Sequence, residues 1–192
     1  MEIVGMNDQQ TYSNTAVRLH WLIGLLIIGN LIGGLAHDAF PKDMIPTVMG
    51  LHKATGILIL VLSLFRLYWR LTHRPPSSAA GLKGWEIGLS HLTHWGFYLL
   101  MILIPVSGWW MSSVGAFTPE GPKRWPISFF GLFDVPFLPV ARTEAAGDFW
   151  HETHEITAFV MIGLLVLHIV GAIKHQFDGH PVLHRMLPFM NR

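Results

Sequence analysis

Two histidines inside one long apolar run restrict the possible folds of this chain more than any other feature. His154 and His168 stand in a stretch that is almost free of charged residues. In an α-helix their spacing brings both rings to within about 40° of one face, with about 21 Å of rise between them. An ionisable side chain inside a membrane span predicts a functional site by default. The pattern therefore predicts a membrane helix that carries two sites, one near each membrane face.

The composition is typical of a membrane protein and excludes several kinds of site. The 192 residues are 51% hydrophobic and 13% charged, whereas soluble domains carry about 25% charged residues. The net charge of +1 gives no reason to expect a nucleic-acid partner. The absence of cysteine excludes disulfides, iron–sulfur clusters, thiolate zinc sites and covalently attached haem. Any haem must therefore be held non-covalently.

Four apolar runs reach the length of about 20 residues that a membrane-spanning helix needs. We expect spans at residues 16–35, 51–71, 92–114 and 154–173. The long segment 115–148 is rich in proline and aromatic residues, so we expect it to lie along the outer interface as a cap. The sequence thus predicts a single domain over 1–192, an all-α membrane protein folded as an antiparallel four-helix transmembrane bundle.

The placement of lysine and arginine predicts the orientation of this bundle. Eight of the thirteen basic residues fall on one side of the spans: Arg18, Arg66, Arg70, Arg74, Lys83, Lys174, Arg185 and Arg192. The other five share the opposite side with eight of the twelve acidic residues. Because basic residues accumulate on the cytoplasmic side, both termini are predicted to be cytoplasmic.

The alternating direction of the spans gives each histidine a depth. Two lie near the outer face and four near the inner face: His52 and His154 outside, and His20, His94, His168 and His175 inside. Haem iron takes two axial nitrogen ligands from opposite sides, and facing helices of a bundle can supply them. The depths therefore predict one haem between His52 and His154, and a second haem that uses His168.

The inner haem has two candidates for its other ligand. His20 is preferred because it sits within the first apolar run at the depth of His168, and His94 is the alternative. At the outer face His151 competes with His154. On a helix, however, His151 is about 100° out of phase with His168, so His154 is the predicted ligand.

Three basic side chains lie where they could bind haem carboxylates. Arg66 follows His52 at the same spacing as His168 follows His154, so it shares the helical phase of His52 and the depth of His168. A cation there favours an anionic partner, for which a haem propionate is suitable. Arg18 and Lys53 lie next to ligand candidates and are assigned the same role. Snorkelling of these long side chains to the interface is the alternative explanation.

Short motifs along the chain resemble the bacterial cytochrome b561 family, which is related to the cytochrome b subunits of membrane hydrogenases. The matching stretches are Arg18-Leu19-His20-Trp21, His52-Lys53-Ala54-Thr55-Gly56, Arg66-Leu67-Tyr68-Trp69-Arg70, His94-Trp95, Ile104-Pro105-Val106-Ser107-Gly108-Trp109, His154-Glu155 and Leu167-His168. They occur in order and cover most of the chain apart from the polar lead before the first span and the outer loop.

The resemblance implies a di-haem protein of the bacterial inner membrane that transfers electrons. Its two b-type haems would be bound by His20, His52, His154 and His168. Family members exchange electrons with ubiquinone near the cytoplasmic face, and one branch is associated with oxidising superoxide on the outer side. The protein would then be a quinone-linked oxidoreductase of the superoxide:quinone type or one with another outer-side donor.

At the inner boundary, His94 and His175 are candidates for hydrogen bonding a quinone, because histidine can relay protons near neutral pH. Membrane lipid, quinone and an outer-side redox partner are the expected partners.

Two other functions stay open on the sequence. The chain could be the cytochrome b anchor of a larger dehydrogenase or hydrogenase complex, which would require an exposed apolar docking surface. It could also be a histidine-based ion transporter, which would require acidic partners within the spans. No carboxylate lies in the middle of any predicted span, so the transporter ranks last.

Overall fold

The protein is a bundle of four long helices. The computed structural model describes residues 12–78, 81–118, 121–179 and 182–187. In this part of the chain the helices are α1 (Asn14–Leu35), α2 (Ile45–Thr72), α3 (Gly84–Val114) and α4 (Glu144–Phe177). Each is long and apolar enough to cross a membrane, so the predicted four-helix membrane fold is confirmed. The polar lead as far as residue 11, and Arg192, lie outside the described residues.

All four helices begin before the apolar runs that predict them, most clearly α3 and α4. The Lys83 amide donates to the Glu86 carboxylate at 2.8 Å, and the Thr143 hydroxyl accepts from the Ala146 amide at 3.2 Å. Such N-terminal caps extend a helix through polar turns that carry no hydrophobic signal. Because α4 starts at Glu144, His154 lies about three turns inside the helix and not at its start.

Two small hairpins cover one end of the bundle, which we call the capped end. They are formed by β1 (Ala116–Thr118) with β2 (Gly121–Lys123), and by β3 (Ile127–Phe129) with β4 (Phe133–Val135). The Trp109 indole donates to the Pro136 carbonyl at 3.0 Å, and the Leu138 amide donates to the Ser113 hydroxyl at 3.0 Å. These bonds attach the predicted cap to α3. Its short strands do not show an alternating pattern in the sequence.

Both described ends of the chain meet at the opposite end of the bundle, which we call the terminal end. The Trp21 indole donates to the Met186 carbonyl at 2.6 Å, and the Trp69 indole donates to the Ser13 hydroxyl at 3.1 Å. Trp21 is near the start of α1 and Trp69 is near the end of α2. Ser13 directly precedes α1, so the Trp69–Ser13 bond brings the end of α2 to the start of α1 and shows that the two helices run in opposite directions.

An apolar layer lies in the middle of the bundle, between its two ends. The buried cluster consists of Leu19, Ile23, Leu100, Met101 and Met161. Met161 is 2% exposed and stands halfway between His154 and His168 on α4. Large apolar side chains elsewhere point outward, as expected for a surface that faces lipid. The layer therefore separates two polar regions, one near each end.

Candidate functional site

At the capped end, the structure brings together the two histidines that the sequence pairs. The ring centres of His52 and His154 lie 6.1 Å apart. Two imidazoles that bind one metal ion from opposite sides have centres about 6 Å apart, because each nitrogen lies about 2 Å from the metal. Both rings line a cavity of about 480 Å³ that all four helices border. A volume of this order is typical of small-molecule and cofactor sites.

Hydrogen bonds to the backbone set the orientation of both rings. His52 Nδ1 lies 3.1 Å from the carbonyl oxygen of Asn30, and His154 Nδ1 lies 2.9 Å from that of Ile104. A carbonyl can only accept, so Nδ1 carries the proton in each ring and Nε2 keeps its lone pair. Histidines that bind metals usually show this arrangement, which fixes the tautomer and orients the ring. The pair therefore offers two nitrogen ligands to an occupant of the cavity.

Two glycines allow the rings to approach the neighbouring helices. A Cβ atom at Gly34 would lie 2.9 Å from His52 Cε1, and one at Gly108 would lie 3.0 Å from His154 Cε1. Each ring thus packs directly on the backbone of α1 or α3, the helix that also supplies its carbonyl acceptor. Any side chain at either glycine would push the ring away. The capped-end residues therefore fit a cofactor that two imidazoles bind from opposite sides, such as a bis-histidine haem.

At the terminal end, three histidines meet. The ring centre of His168 lies 6.0 Å from that of His20 and 6.1 Å from that of His94. The Phe97 ring packs edge-on against His168, with the two ring centres 5.3 Å apart. Both candidate partners thus have the ring spacing that a shared metal requires, and the spacing alone does not choose between them.

The contacts of the two candidate partners differ. Arg66 Nη2 lies 3.3 Å from His20 Nδ1, and the guanidinium stands 5.9 Å from the centre of the Tyr98 ring. A guanidinium only donates, so His20 accepts at Nδ1 in this arrangement. His94 Nδ1 lies 3.5 Å from the Ser90 hydroxyl, one turn earlier on α3. The two rings therefore differ in the partner that Nδ1 contacts.

The other predicted site residues are spread over both ends. Lys53 is half-buried and lines the capped-end cavity, whereas Arg18 is exposed on α1. His175 is half-buried on α4, about two turns beyond His168. His151 is exposed at the cavity margin, and the ring that faces His52 is that of His154.

Some residues of the capped-end site could not be identified from the sequence. Any residue at position 30 would offer the carbonyl that His52 uses. Gly34 and Gly108 resemble the other helix glycines in the sequence, and only the packing distinguishes them. Ser107 donates to the Ile104 carbonyl at 2.8 Å and lies 3.2 Å from His154 Nδ1. A serine and a glycine soon after Pro105 could have suggested a close helix contact.

Comparisons with known proteins agree with this arrangement. A family model described as prokaryotic cytochrome b561 matches residues 11–189. The chain is 30% identical over 184 residues to cytochrome b561 homolog 2 of Escherichia coli, covering 94% of this chain and 93% of that protein. It is 32% identical over 178 residues to a probable superoxide oxidase, CybB, of Yersinia pestis, covering 92% and 96%. Cytochrome b562 of Cereibacter sphaeroides is 27% identical over 186 residues, covering 90% and 91%.

The glycine contact gives a first testable prediction. We expect Gly108→Ala to lower the haem content of the purified protein, because the new methyl group would displace the His154 ring from the position in which it faces His52. Pyridine haemochrome analysis measures haem per chain. Gly163→Ala is the matched control, since a Cβ there meets nothing within 4 Å. Equal haem content and equal spectra in both variants would contradict the packing argument.

Proposed function

This chain belongs to the prokaryotic cytochrome b561 family, and from that premise we propose that it carries electrons across the membrane between two haem sites. Haem b binding and membrane electron transfer follow from the family itself. The number of haems, their ligands and the reaction partners are our proposal. The observation that carries it is the meeting of five histidines in two groups, two at the capped end and three at the terminal end, with α4 contributing to both.

At the capped end, His52 and His154 would hold one haem b through their Nε2 atoms. The carbonyls of Asn30 and Ile104 keep both rings in the tautomer that this requires. The haem iron supplies reversible one-electron chemistry. When histidine occupies both axial positions, no coordination site is open, so the site favours electron transfer over the binding of oxygen.

At the terminal end, we assign His168 and His20 to the second haem. Arg66 contacts His20 Nδ1, and with haem bound its guanidinium would instead bind a haem propionate, which is a strong partner. The loss of the Arg66–His20 contact matters because an imidazole that accepts a hydrogen bond at Nδ1 carries its proton on Nε2, the atom that would bind iron. A propionate on Arg66 would therefore leave His20 free to bind iron through Nε2. Arg18 is assigned to the surroundings of the same haem, and Lys53 to those of the capped-end haem.

We place the terminal end at the cytoplasmic face of the bacterial inner membrane, from the distribution of basic residues. Electrons would leave there to ubiquinone, with His94 and His175 as hydrogen-bond partners and proton relays. His94 adjoins His168, and His175 lies about two turns further along α4. Both positions are close enough to the terminal-end site to serve a quinone that reacts there.

The donor would react at the capped end, on the outer side. Superoxide is a candidate because a similar protein from Yersinia pestis is named a probable superoxide oxidase. The outer segments carry eight acidic and five basic residues, so their net charge does not attract an anion. Lys53, which lines the cavity, offsets part of the negative charge near the point where such a donor would approach.

Removal of one ligand tests the assignment of the outer haem. We expect His154→Ala to lose about half of the haem, because His52 alone leaves one axial position empty at that site. The remaining haem should keep the sharp reduced α-band of a bis-histidine b-type haem. Pyridine haemochrome analysis with a dithionite-reduced spectrum gives both quantities. Two haems per chain in the variant would show that His154 is not a ligand.

A comparison of two variants decides the inner ligand. We expect His20→Ala to lose the terminal-end haem and His94→Ala to retain it, since His20 is the proposed partner of His168. Both side chains are half-buried neighbours of the same ring, so each serves as the control for the other. Haem loss in the His94 variant alone would reverse the assignment.

Quinone reactivity tests the proposed proton relays. We expect His94→Ala and His175→Ala to keep both haems but to oxidise them more slowly with a soluble ubiquinone analogue, by about tenfold or more. Stopped-flow spectroscopy of the pre-reduced protein measures this rate. His91→Ala, on the exposed side of α3, is the matched control. If both variants reoxidise at the parental rate, these histidines do not serve the quinone reaction.

A further inference from the structure

Three serines near the capped end of α3 are buried, and one of them has no hydrogen-bond partner. Ser107 and Ser113 are both 0% exposed, and each donates at 2.8 Å to a carbonyl of its own helix. Ser112 is 7% exposed, and its buried hydroxyl has no partner in the structure. A buried hydroxyl without a partner is costly, so Ser112 is expected to have one in the functional protein.

Ser112 lies where two cavities adjoin. It lines the 480 Å³ cavity of His52 and His154, and also a second cavity of about 370 Å³ beneath the first hairpin. Lys53 lines both cavities as well. Among the described residues no acidic side chain lies within 4 Å of the Lys53 ammonium. Within the described part of the chain, a cation without an acidic partner and a hydroxyl without a hydrogen-bond partner therefore border the same space.

We propose that Ser112 and Lys53 bind one propionate of the capped-end haem. This inference rests on the proposed function, because the haem must occupy the cavity of His52 and His154. The ammonium can only donate, and the Ser112 hydroxyl is free to donate, so both suit a carboxylate. Glu155 lines the first cavity and Glu144 and Asp148 line the second. None of these carboxylates pairs with the Lys53 ammonium or with the Ser112 hydroxyl, so both groups are available to the occupant of the first cavity.

The two residues would affect the redox behaviour of the haem as well as its retention. A propionate left without its cation and its hydrogen bond puts uncompensated negative charge near the iron, which favours the oxidised form. Loss of the positive charge of Lys53 acts in the same direction. Charge and hydrogen bonding around a haem are established controls of its potential.

Redox titration of the holoprotein tests this proposal. We expect Ser112→Ala and Lys53→Gln to lower the midpoint potential of one haem and leave the other unchanged. Both variants should also lose haem to excess apomyoglobin about tenfold faster than the parent protein. Ser63→Ala is the matched control for the capped-end haem, since Ser63 is 1% exposed, also lacks a partner and lines neither cavity.

Reconstitution of the full chain with iron etioporphyrin, in which alkyl groups replace both propionates, identifies the source of the carboxylate. If Ser112 binds a propionate, this porphyrin offers it no acceptor, and Ser112→Ala causes no further shift. A shift that persists with iron etioporphyrin shows that Ser112 binds an anion from outside, which overturns the proposal. Unchanged potentials and haem-loss rates in both variants with ordinary haem overturn it too, while the di-haem function stands. A protein that binds no haem at all overturns the proposed function together with this inference.

Discussion

An imidazole ring inside a membrane span must satisfy two nitrogens without help from water. A neutral ring has one donor and one acceptor, and an unsatisfied polar group is costly in this environment. His52 and His154 satisfy the donor with carbonyls of neighbouring helices. Their acceptors are then left for whatever occupies the cavity. The packing of α1 beside α2, and of α3 beside α4, meets this requirement, because each histidine donates to a carbonyl of the adjacent helix.

The close approach of these helices depends on small residues at two points. Gly34 and Gly108 stand directly under the two rings, where a methyl group would force the ring to shift. Each of these helices therefore supplies both a hydrogen-bond acceptor and a flat contact surface to its histidine. Further along α4, Met161 and the apolar layer around it hold the bundle together between the two sites. One helix can thus serve two sites that are about 21 Å apart along its axis.

The two ends of the bundle are built differently, and the difference suits different chemistry. At the capped end two histidines face each other with fixed tautomers. At the terminal end three histidines and Arg66 share the space around one ring. If two histidines bind iron there, the third is left beside the site with ring nitrogens that can donate or accept a hydrogen bond. A site of this kind can combine electron transfer with the movement of a proton, which the reduction of a quinone requires.

The sequence by itself determined that four helices can span a membrane and which histidines share an end of the bundle, because hydropathy and helical periodicity depend on the order of residues alone. It also predicted that His52 pairs with His154, since only one partnering was available at that depth. It missed the early starts of α3 and α4, whose caps lie in polar turns, and the hairpins of the cap.

Only the tertiary structure decided which backbone carbonyls orient the rings, which glycines lie beneath them, and that Ser112 borders the same space as Lys53. These features depend on the rotation and separation of neighbouring helices. Contacts between different helices set both, and no local pattern along the chain encodes them.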